Sequence, residues 1–347
     1  MDKIIQTGMA SYGMSGKVFH GPLLKSHGGF RLKKIVERNA EKSKADFPEA
    51  VRVHTWNEIL SDPDIELAIV NTPPQYHVEM CRQALQAGKH VVVEKPFTPT
   101  ADEARQLIGL ARKHNRILTV FHNRRWDGGF LTIRKVLENQ WLGRLVEYEA
   151  NYDRYRNYLE NSWKEAPTPG SGIVYNLGSH LIDQALVLFG MPQAVTAEIL
   201  AQRSGGAVDD NFHVLLHYAA HRVVLRSGFL VREPKPSHIL NGTEGTFMKR
   251  TNDPQEEALK AGRSPLETLW GTEPETDWGT LNTQLNGLHL KGRVETVPGN
   301  YRVFYENLYQ AITANAPLLV KPEEALRVIQ IIEAAYQSNA EKRTVEV

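Results

Sequence analysis

His90-Val91-Val92-Val93-Glu94-Lys95-Pro96-Phe97 is the stretch that decides the fold. Three β-branched residues in a row read as a strand buried on both faces, the habit of a parallel sheet. The proline that follows has no N–H to give to a ladder and stops the strand. In an open parallel α/β sheet, ligands bind in the crevice beyond the carboxyl ends of the strands. The spacing therefore sets Lys95 at the mouth of such a crevice, where an ammonium can polarise a carbonyl oxygen or hand it a proton. Taken alone, the same residues also suit a surface lysine on an ordinary strand-to-helix loop.

Outward from this strand the pattern repeats. Residues 3–10 read as a strand, followed by the turn Ser11-Tyr12-Gly13-Met14-Ser15-Gly16 and a helix over 17–26 that Pro22 shortens or kinks. Further strands are predicted at 32–36, 66–70 and 117–121. Helices are predicted at 76–87, closed by Gly88, and at 101–114, entered through Thr98 or Thr100. Such alternation specifies a doubly wound parallel sheet. A chain of 347 residues has room for a second domain beside it, and the boundary is set at 122/123.

The turn at 11–16 reads S-x-G-x-x-G, a departure from the G-x-G-x-x-G dinucleotide fingerprint. Ser11 replaces the glycine of the tight turn. Gly13 still lets backbone approach a pyrophosphate, and Gly16 still permits close packing of helix on strand. The N–H groups at the helix start, around Met14 and Ser15, favour an anion. An acidic residue after the second strand should hold the adenosine ribose, and Glu37 stands there. Its neighbour Arg38 suits a 2′-phosphate instead. The pair leaves NAD and NADP both open, with a lean to NAD.

Composition narrows the class. Lys+Arg 41 against Asp+Glu 40 gives a net charge of +1, so no basic field points to nucleic acid. No apolar run is long enough to span a bilayer, and the first residues lack the apolar core of a secretory signal. The single cysteine, Cys81, excludes an internal disulfide and suits a reducing cytoplasm. Its helical spacing with Val78 and Leu85 reads as a core thiol.

Past Phe121 the texture changes. Helices at about 129–139, 178–189, 301–314 and 322–340 flank strand-like segments at 144–155, 194–203, 211–218, 221–231, 237–241 and 244–249. Near-alternation and short turns such as Gly242-Thr243 predict an antiparallel sheet with helices on one face and the other face open. The segment 252–287, rich in Pro, Gly, Glu and Trp, reads as a surface excursion. Within Gly170–Asp183, helical spacing puts Asn176, His180 and Asp183 on one face. An imidazole fixed by a neighbour is a usual proton carrier for an alcohol becoming a ketone, though a helix-face histidine bonded to structure fits the same residues. His122-Asn123-Arg124-Arg125-Trp126-Asp127 and Tyr152-Asp153-Arg154-Tyr155-Arg156 follow strand ends and offer what a polyhydroxylated ligand needs, or a salt-bridge network.

Together these segments resemble the glucose–fructose oxidoreductase / inositol dehydrogenase / MocA (Gfo/Idh/MocA) family. The likeness covers essentially the whole chain and is carried by SYGMSGKVFHGPLL at 11–24, NTPPQYH at 71–77, AGKHVVVEKP at 87–96, FHNRRWD at 121–127 and GSGIVYNLGSHLIDQALVLFG at 170–190. It is strongest toward the scyllo-inositol dehydrogenase-like branch. The resemblance implies a Rossmann domain over 1–122 and a substrate-binding, oligomer-forming α+β domain over 123–347. It implies that Lys95 and His180 flank the reacting carbinol carbon, and that Asn71, Thr72, Pro73, His77, Glu94, Pro96 and Asn123 belong to the cofactor pocket. Arg124, Tyr152, Arg154, Trp163 and Asp183 are the candidates for substrate hydroxyls. Homodimers or homotetramers through the open sheet are the family habit.

Two residues depart from the family pattern. Asn176 stands where an aspartate is usual, four residues before the histidine, so it gives the ring orientation without charge. Ser11 is the other. Three further readings stand beside the dehydrogenase: a glycosidase that oxidises a sugar carbon transiently, a nucleotide-sensing protein without catalysis, and a metal enzyme built on His213 and His217. For the last, no carboxylate or cysteine cluster completes a site, so no metal is expected.

Overall fold

The computed structural model describes residues 3–39, 41–160 and 162–347. The chain divides into two compact units. One comprises the described residues of Met1–Asn123 with Gln255–Trp270 and Asn300–Leu326; the other comprises those of Arg124–Pro254 with Gly271–Gly299 and Arg327–Val347.

In chain order the first unit begins with β1 (Ile5–Met9), α1 (Gly21–Lys25), β2 (Phe30–Val36), β3 (Val51–Val53), α2 (Asn57–Leu60) and β4 (Leu67–Val70). It continues with α3 (His77–Gln86), β5 (His90–Val93), α4 (Ala101–Lys113) and β6 (Leu118–Val120). Six strands form one parallel sheet in the order β3-β2-β1-β4-β5-β6. The order reverses between β1 and β4, which is the switch point where a doubly wound sheet binds its ligand. Val91, Val92 and Val93 are fully buried, as are Ile69 and Val70 on the neighbouring strand. Each such side chain removed from water stabilises the sheet by about 1.5–3 kcal/mol. Strand β5 is a core strand, as its composition requires.

Pro22 is accommodated rather than disruptive. The helical stretch is wound as a π turn over Gly16–His20, in which the Gly21 N–H donates to the Gly16 carbonyl, and Pro22 enters in the first turn of α1. There the missing N–H and fixed φ cost nothing. Helix α4 starts at Thr100, not Thr98. Its hydroxyl accepts from the Glu103 N–H and the Glu103 carboxylate accepts in return, a reciprocal capping box. Cys81 is fully buried on α3, and burial pushes its thiol pKa up, as expected of an inert core thiol.

The second unit contains α5 (Gly128–Glu138), β7 (Leu145–Asn151), α6 (Ser179–Phe189), β8 (Ala194–Leu200), β9 (Asn211–His217), β10 (Arg222–Gly228), β11 (His238–Gly242) and β12 (Gly245–Lys249). After α7 (Gln255–Lys260), which belongs to the first unit, come β13 (Gly279–Leu285) and β14 (Leu288–Val294). Helix α8 (Arg302–Ala314) lies in the first unit; α9 (Pro322–Glu341) and β15 (Val345–Glu346) end the chain. The nine-stranded sheet has the order β14-β13-β12-β11-β7-β10-β9-β8-β15. It departs from the antiparallel expectation at one ladder, because β7 and β10 run parallel.

The segment 252–287 is exposed over most of its length, as expected of a surface excursion, but it is tied to the core near its start and ends in a strand. Gln255 is fully buried, and its side-chain oxygen accepts from the Tyr301 N–H at 2.8 Å and the Trp270 indole at 3.0 Å. Its last residues form β13, which pairs with β14 along its whole length.

Candidate active site

Four of the expected clusters sit at the carboxyl ends of neighbouring strands of one sheet. Ser11–Gly16 follows β1, Glu37 follows β2, Asn71–His77 follows β4 and Glu94–Pro96 follows β5. Asn123, buried, comes shortly after β6.

The serine that breaks the fingerprint has a structural task. The Ser11 N–H donates to the Asn71 side-chain oxygen at 3.0 Å, and the Ser11 hydroxyl donates to the Asn71 carbonyl at 3.0 Å. The Asn71 amide donates back to the Ser11 carbonyl at 2.8 Å. Three bonds thus lock the loop after β1 to the loop after β4, across the switch point. Asn71 also approaches the Ser15 hydroxyl at 3.4 Å, so its side chain supports the loop.

The glycines test whether a pyrophosphate fits. A Cβ on Gly16 would lie 2.5 Å from the Ser11 carbonyl oxygen, so this position needs glycine for internal packing. A Cβ on Gly13 would meet only the Ser11 hydroxyl, at 3.8 Å. The protein itself leaves Gly13 open, which suits the close approach of a ligand. Met14 is exposed beside it at the helix start. A dinucleotide phosphate fits this cradle.

Glu37 does something other than wait for a ribose. It is buried, and its carboxylate accepts from the Lys42 N–H at 2.9 Å, the Ser43 N–H at 3.2 Å and the Ser43 hydroxyl. A buried carboxylate must be satisfied, and the short turn Lys42–Lys44 has amides to satisfy it. Arg38, next to it, is exposed.

His77, fully buried, reaches the Thr72 carbonyl at 2.9 Å and the Pro96 carbonyl at 2.9 Å, tying the loops after β4 and β5. Burial pushes its pKa down, so at neutral pH the ring carries one proton and donates to one of the two carbonyls. Pro73 leads into the turn before α3, and the Lys95–Pro96 peptide is cis. The Lys95 N–H donates to its neighbour Glu94 at 3.1 Å. Sequence reasoning missed two residues here. His20 and Tyr305, both fully buried, stand beside Glu94: His20 Nε2 is 3.1 Å from Glu94 Oε1, and His20 Nδ1 is 2.6 Å from the Tyr305 hydroxyl. The Phe-His-Gly-Pro run at 19–22 was the available signal for His20; nothing local marks Tyr305.

The second unit assembles another cluster. His180 is buried on α6. The helix is entered through a π turn, Val174–Gly178, which holds Asn176. The i, i+4, i+7 count that groups Asn176 with His180 and Asp183 is an α-helical count, and only His180 and Asp183 lie on the α-helical part. Asp209 fixes the entry: its carboxylate accepts from the Val174 N–H at 2.9 Å and from the Tyr336 hydroxyl at 2.7 Å. Asp183 pairs with Arg125, which donates to its two oxygens at 2.9 and 2.6 Å, both residues being buried. The Gln184 amide donates to the Arg124 carbonyl at 2.9 Å. These bonds seat the turn Asn123–Trp126 on the helix that carries His180.

From that turn Arg124 donates to the Tyr152 hydroxyl at 2.7 Å and pairs with Asp127 at 3.3 Å. Arg154 lies with its guanidinium carbon 5.2 Å from the Tyr152 ring centre. Arg124, Tyr152 and Arg154 are thus brought together. Trp163 is not part of this stack. It is exposed on the turn Trp163–Glu165, with the Lys164 ammonium 5.8 Å from its ring. His217 bonds the Thr196 hydroxyl at 2.8 Å. Among the described residues no group of three or more His, Cys, Asp or Glu side chains is placed to hold a metal. Among them, too, no helix is long and apolar enough to cross a membrane.

The pattern of the oxidoreductase family's NAD-binding Rossmann fold matches residues 5–122, and that of its C-terminal alpha/beta domain matches residues 134–347. The chain belongs to the Gfo/Idh/MocA oxidoreductase family. Among Gfo/Idh/MocA relatives it is 43% identical over 344 residues to scyllo-inositol 2-dehydrogenase (NADP(+)) IolW of Bacillus subtilis (strain 168), spanning 98% of this chain and 95% of that protein. It is 38% identical over 345 residues to the oxidoreductase YdgJ of Escherichia coli (strain K12), spanning 99% of each. Among solved structures, an oxidoreductase YvaA of Bacillus subtilis is similar at TM-score 0.97 and 41% identity, covering 100% of this chain and 99% of that one. An oxidoreductase of Bacteroides fragilis is similar at TM-score 0.92 and 45% identity, covering 99% and 100%. The chain is therefore an oxidoreductase with an NAD-binding Rossmann domain.

Proposed function

We propose that this Gfo/Idh/MocA protein interconverts a secondary alcohol and a ketone on a cyclitol, sugar or related polyol, with NADP as its preferred cofactor. The observation that carries the proposal is the gathering of Ser11–Gly16, Asn71–His77 and Glu94–Lys95 at the carboxyl ends of β1, β4 and β5, around the switch point. When bound, the nicotinamide supplies the hydride donor or acceptor. The Gly13 cradle and the first helical amides hold the phosphates. Lys95 gives the proton to the carbonyl oxygen in reduction and steadies the developing alkoxide. His180 shares the proton transfer, with Asn176 orienting its ring. Arg124, Tyr152 and Arg154 hold substrate hydroxyls, while Asp183 acts through Arg125.

The preference for NADP reverses the lean of the sequence, and Glu37 is the reason. Its carboxylate is engaged by its own loop, leaving the exposed Arg38 to meet the 2′ position. The relative IolW carries NADP(+) in its name. Arg38→Ala should raise KM for NADP about tenfold or more, as expected for a lost charge-assisted contact, and leave KM for NAD nearly unchanged. A homodimer or homotetramer through the open sheet belongs to the same proposal.

A dehydrogenase screen tests it: inositols, aldoses and glycosides with NAD and NADP in parallel, following absorbance of the reduced cofactor. Reduction of NADP by a cyclitol or sugar is expected. Aglycone release without net cofactor reduction would indicate the glycosidase chemistry instead, and cofactor binding with no turnover on any of them would contradict the proposal.

A further inference from the structure

The loop that bears Lys95 is braced by a line of polar groups in a setting that is otherwise apolar. His20 and Tyr305 are fully buried and Glu94 nearly so. The Phe121 ring lies 4.5 Å from that of His20, and Phe304 packs edge-on against Phe121 at 4.9 Å. Polar groups are retained in such surroundings only when each is satisfied. The carboxylate sets the direction of the bonds it takes part in. An ionised carboxylate only accepts, so His20 Nε2 carries the proton toward Glu94 Oε1 at 3.1 Å. The other ring nitrogen, Nδ1, shares a hydrogen bond of 2.6 Å with the Tyr305 hydroxyl. The far oxygen of Glu94 accepts from the Lys95 N–H at 3.1 Å. The bonds from His20 and from the Lys95 N–H converge on the two oxygens of Glu94, and the line ends at the backbone of Lys95.

We propose that Tyr305, His20 and Glu94 are positioning residues: a buried chain that fixes the Lys95 backbone and sets an anion beside its ammonium to keep it charged. The inference rests on the role given to Lys95 under Proposed function. The charge state supports the geometry. Burial alone would raise the Glu94 pKa, but the hydrogen bond from His20 and the nearby Lys95 ammonium outweigh it and hold the carboxyl below its ordinary range. The titratable groups facing Glu94 are accordingly His20 from the turn after β1, His77 from α3, Tyr305 from α8, and Lys95 itself. Tyr305 lies 285 positions from His20 in the chain, yet within the same unit.

The test is competitive acetylation of lysines across a pH series, read at Lys95 by mass spectrometry, in the full-length protein without cofactor or substrate. In Glu94→Gln, which keeps the shape and removes the charge, the midpoint for Lys95 should fall by about one pH unit. In Tyr305→Phe it should fall by less, and by nothing further when combined with Glu94→Gln, because the tyrosine acts only through the carboxylate. The alkaline limb of the reductive pH–rate profile should move with these midpoints. An unchanged midpoint in Glu94→Gln, or equal effects of Tyr305→Phe with and without Glu94, would overturn the chain. Should Tyr305→Phe fail to fold, His20→Gln replaces it under the same expectations. The labelling needs no turnover, so a Lys95 without a catalytic part would count against the proposed function and leave this result standing.

Discussion

Gly13 and Gly16 differ in what a single methyl group would meet, and that difference separates binding from folding. At Gly16 the methyl meets the Ser11 carbonyl at 2.5 Å and the Asn71 amide at 3.1 Å, inside the lock between two loops. At Gly13 it meets nothing closer than 3.8 Å. Gly16→Ala should therefore lose about 1–3 kcal/mol of stability along with cofactor affinity. Gly13→Ala should keep its melting temperature and still weaken cofactor binding by tenfold or more. Thermal melts and cofactor titrations of the two variants check this, and equal stability losses would contradict it. Asn176 is the other informative residue. On the proposed orienting role, Asn176→Asp sets a charge beside the His180 ring and should move the acidic limb of the oxidative pH–rate profile upward. An unchanged rate and profile would show that orientation by the amide is not what matters there.

At the scale of elements, the entry of α6 is held from outside the helix. Gly172 has φ +92° and lies so close to the Asp209 carboxylate that a Cβ would come within 2.2 Å of its oxygen. Burial raises the Asp209 pKa, opposed by bonds from Tyr336, Val174 and Ile173. Asp209→Ala should free the turn that bears Asn176, lower kcat about tenfold through His180, and leave the KM for the cofactor nearly unchanged. By contrast, Thr100→Ala removes only the cap of α4, so about 0.5–2 kcal/mol of stability should go with kcat intact. Elements with strong local signals were legible in the sequence. The valine strand β5, the capped α4 and helices α5, α8 and α9 lie within a few residues of where composition and caps put them. Strand β3 was not legible because three residues carry no period. Strand β14 was not, because Leu288 and Leu290 on it are exposed and no apolar alternation marks an inner face. The π turns were hidden as well, since an i→i+5 turn has no compositional mark. Cofactor-loop residues could be named from motifs, whereas His20–Tyr305 and Asp209–Tyr336 are joined only by tertiary folding.

Across the whole molecule, buried neutral histidines set the response to acid. Burial, aided by Arg116, pushes His90 down to about 4, and burial, aided by Lys249, pushes His238 down to about 3; His77 is depressed in the same direction by burial. A base with a depressed folded pKa takes up its proton in the unfolded chain first. Its stabilisation is therefore complete above the ordinary histidine pKa near 6.5, and it is lost as pH falls from there toward the folded values. Each pKa unit is worth about 1.4 kcal/mol. The melting temperature should fall by several degrees between pH 7 and about 5, above the ordinary carboxylate range, and His238→Asn should flatten that slope. A flat melting profile down to about pH 5 would contradict this. The account as a whole depends on Lys95 moving a proton in an oxidoreductase whose cofactor is held by other residues. The direct measurement is Lys95→Ala, assayed in parallel for turnover on the best substrate of the screen and for cofactor dissociation constant. Turnover should fall by a thousandfold or more while cofactor affinity stays within about threefold; loss of both in equal measure would show a structural lysine and contradict the account.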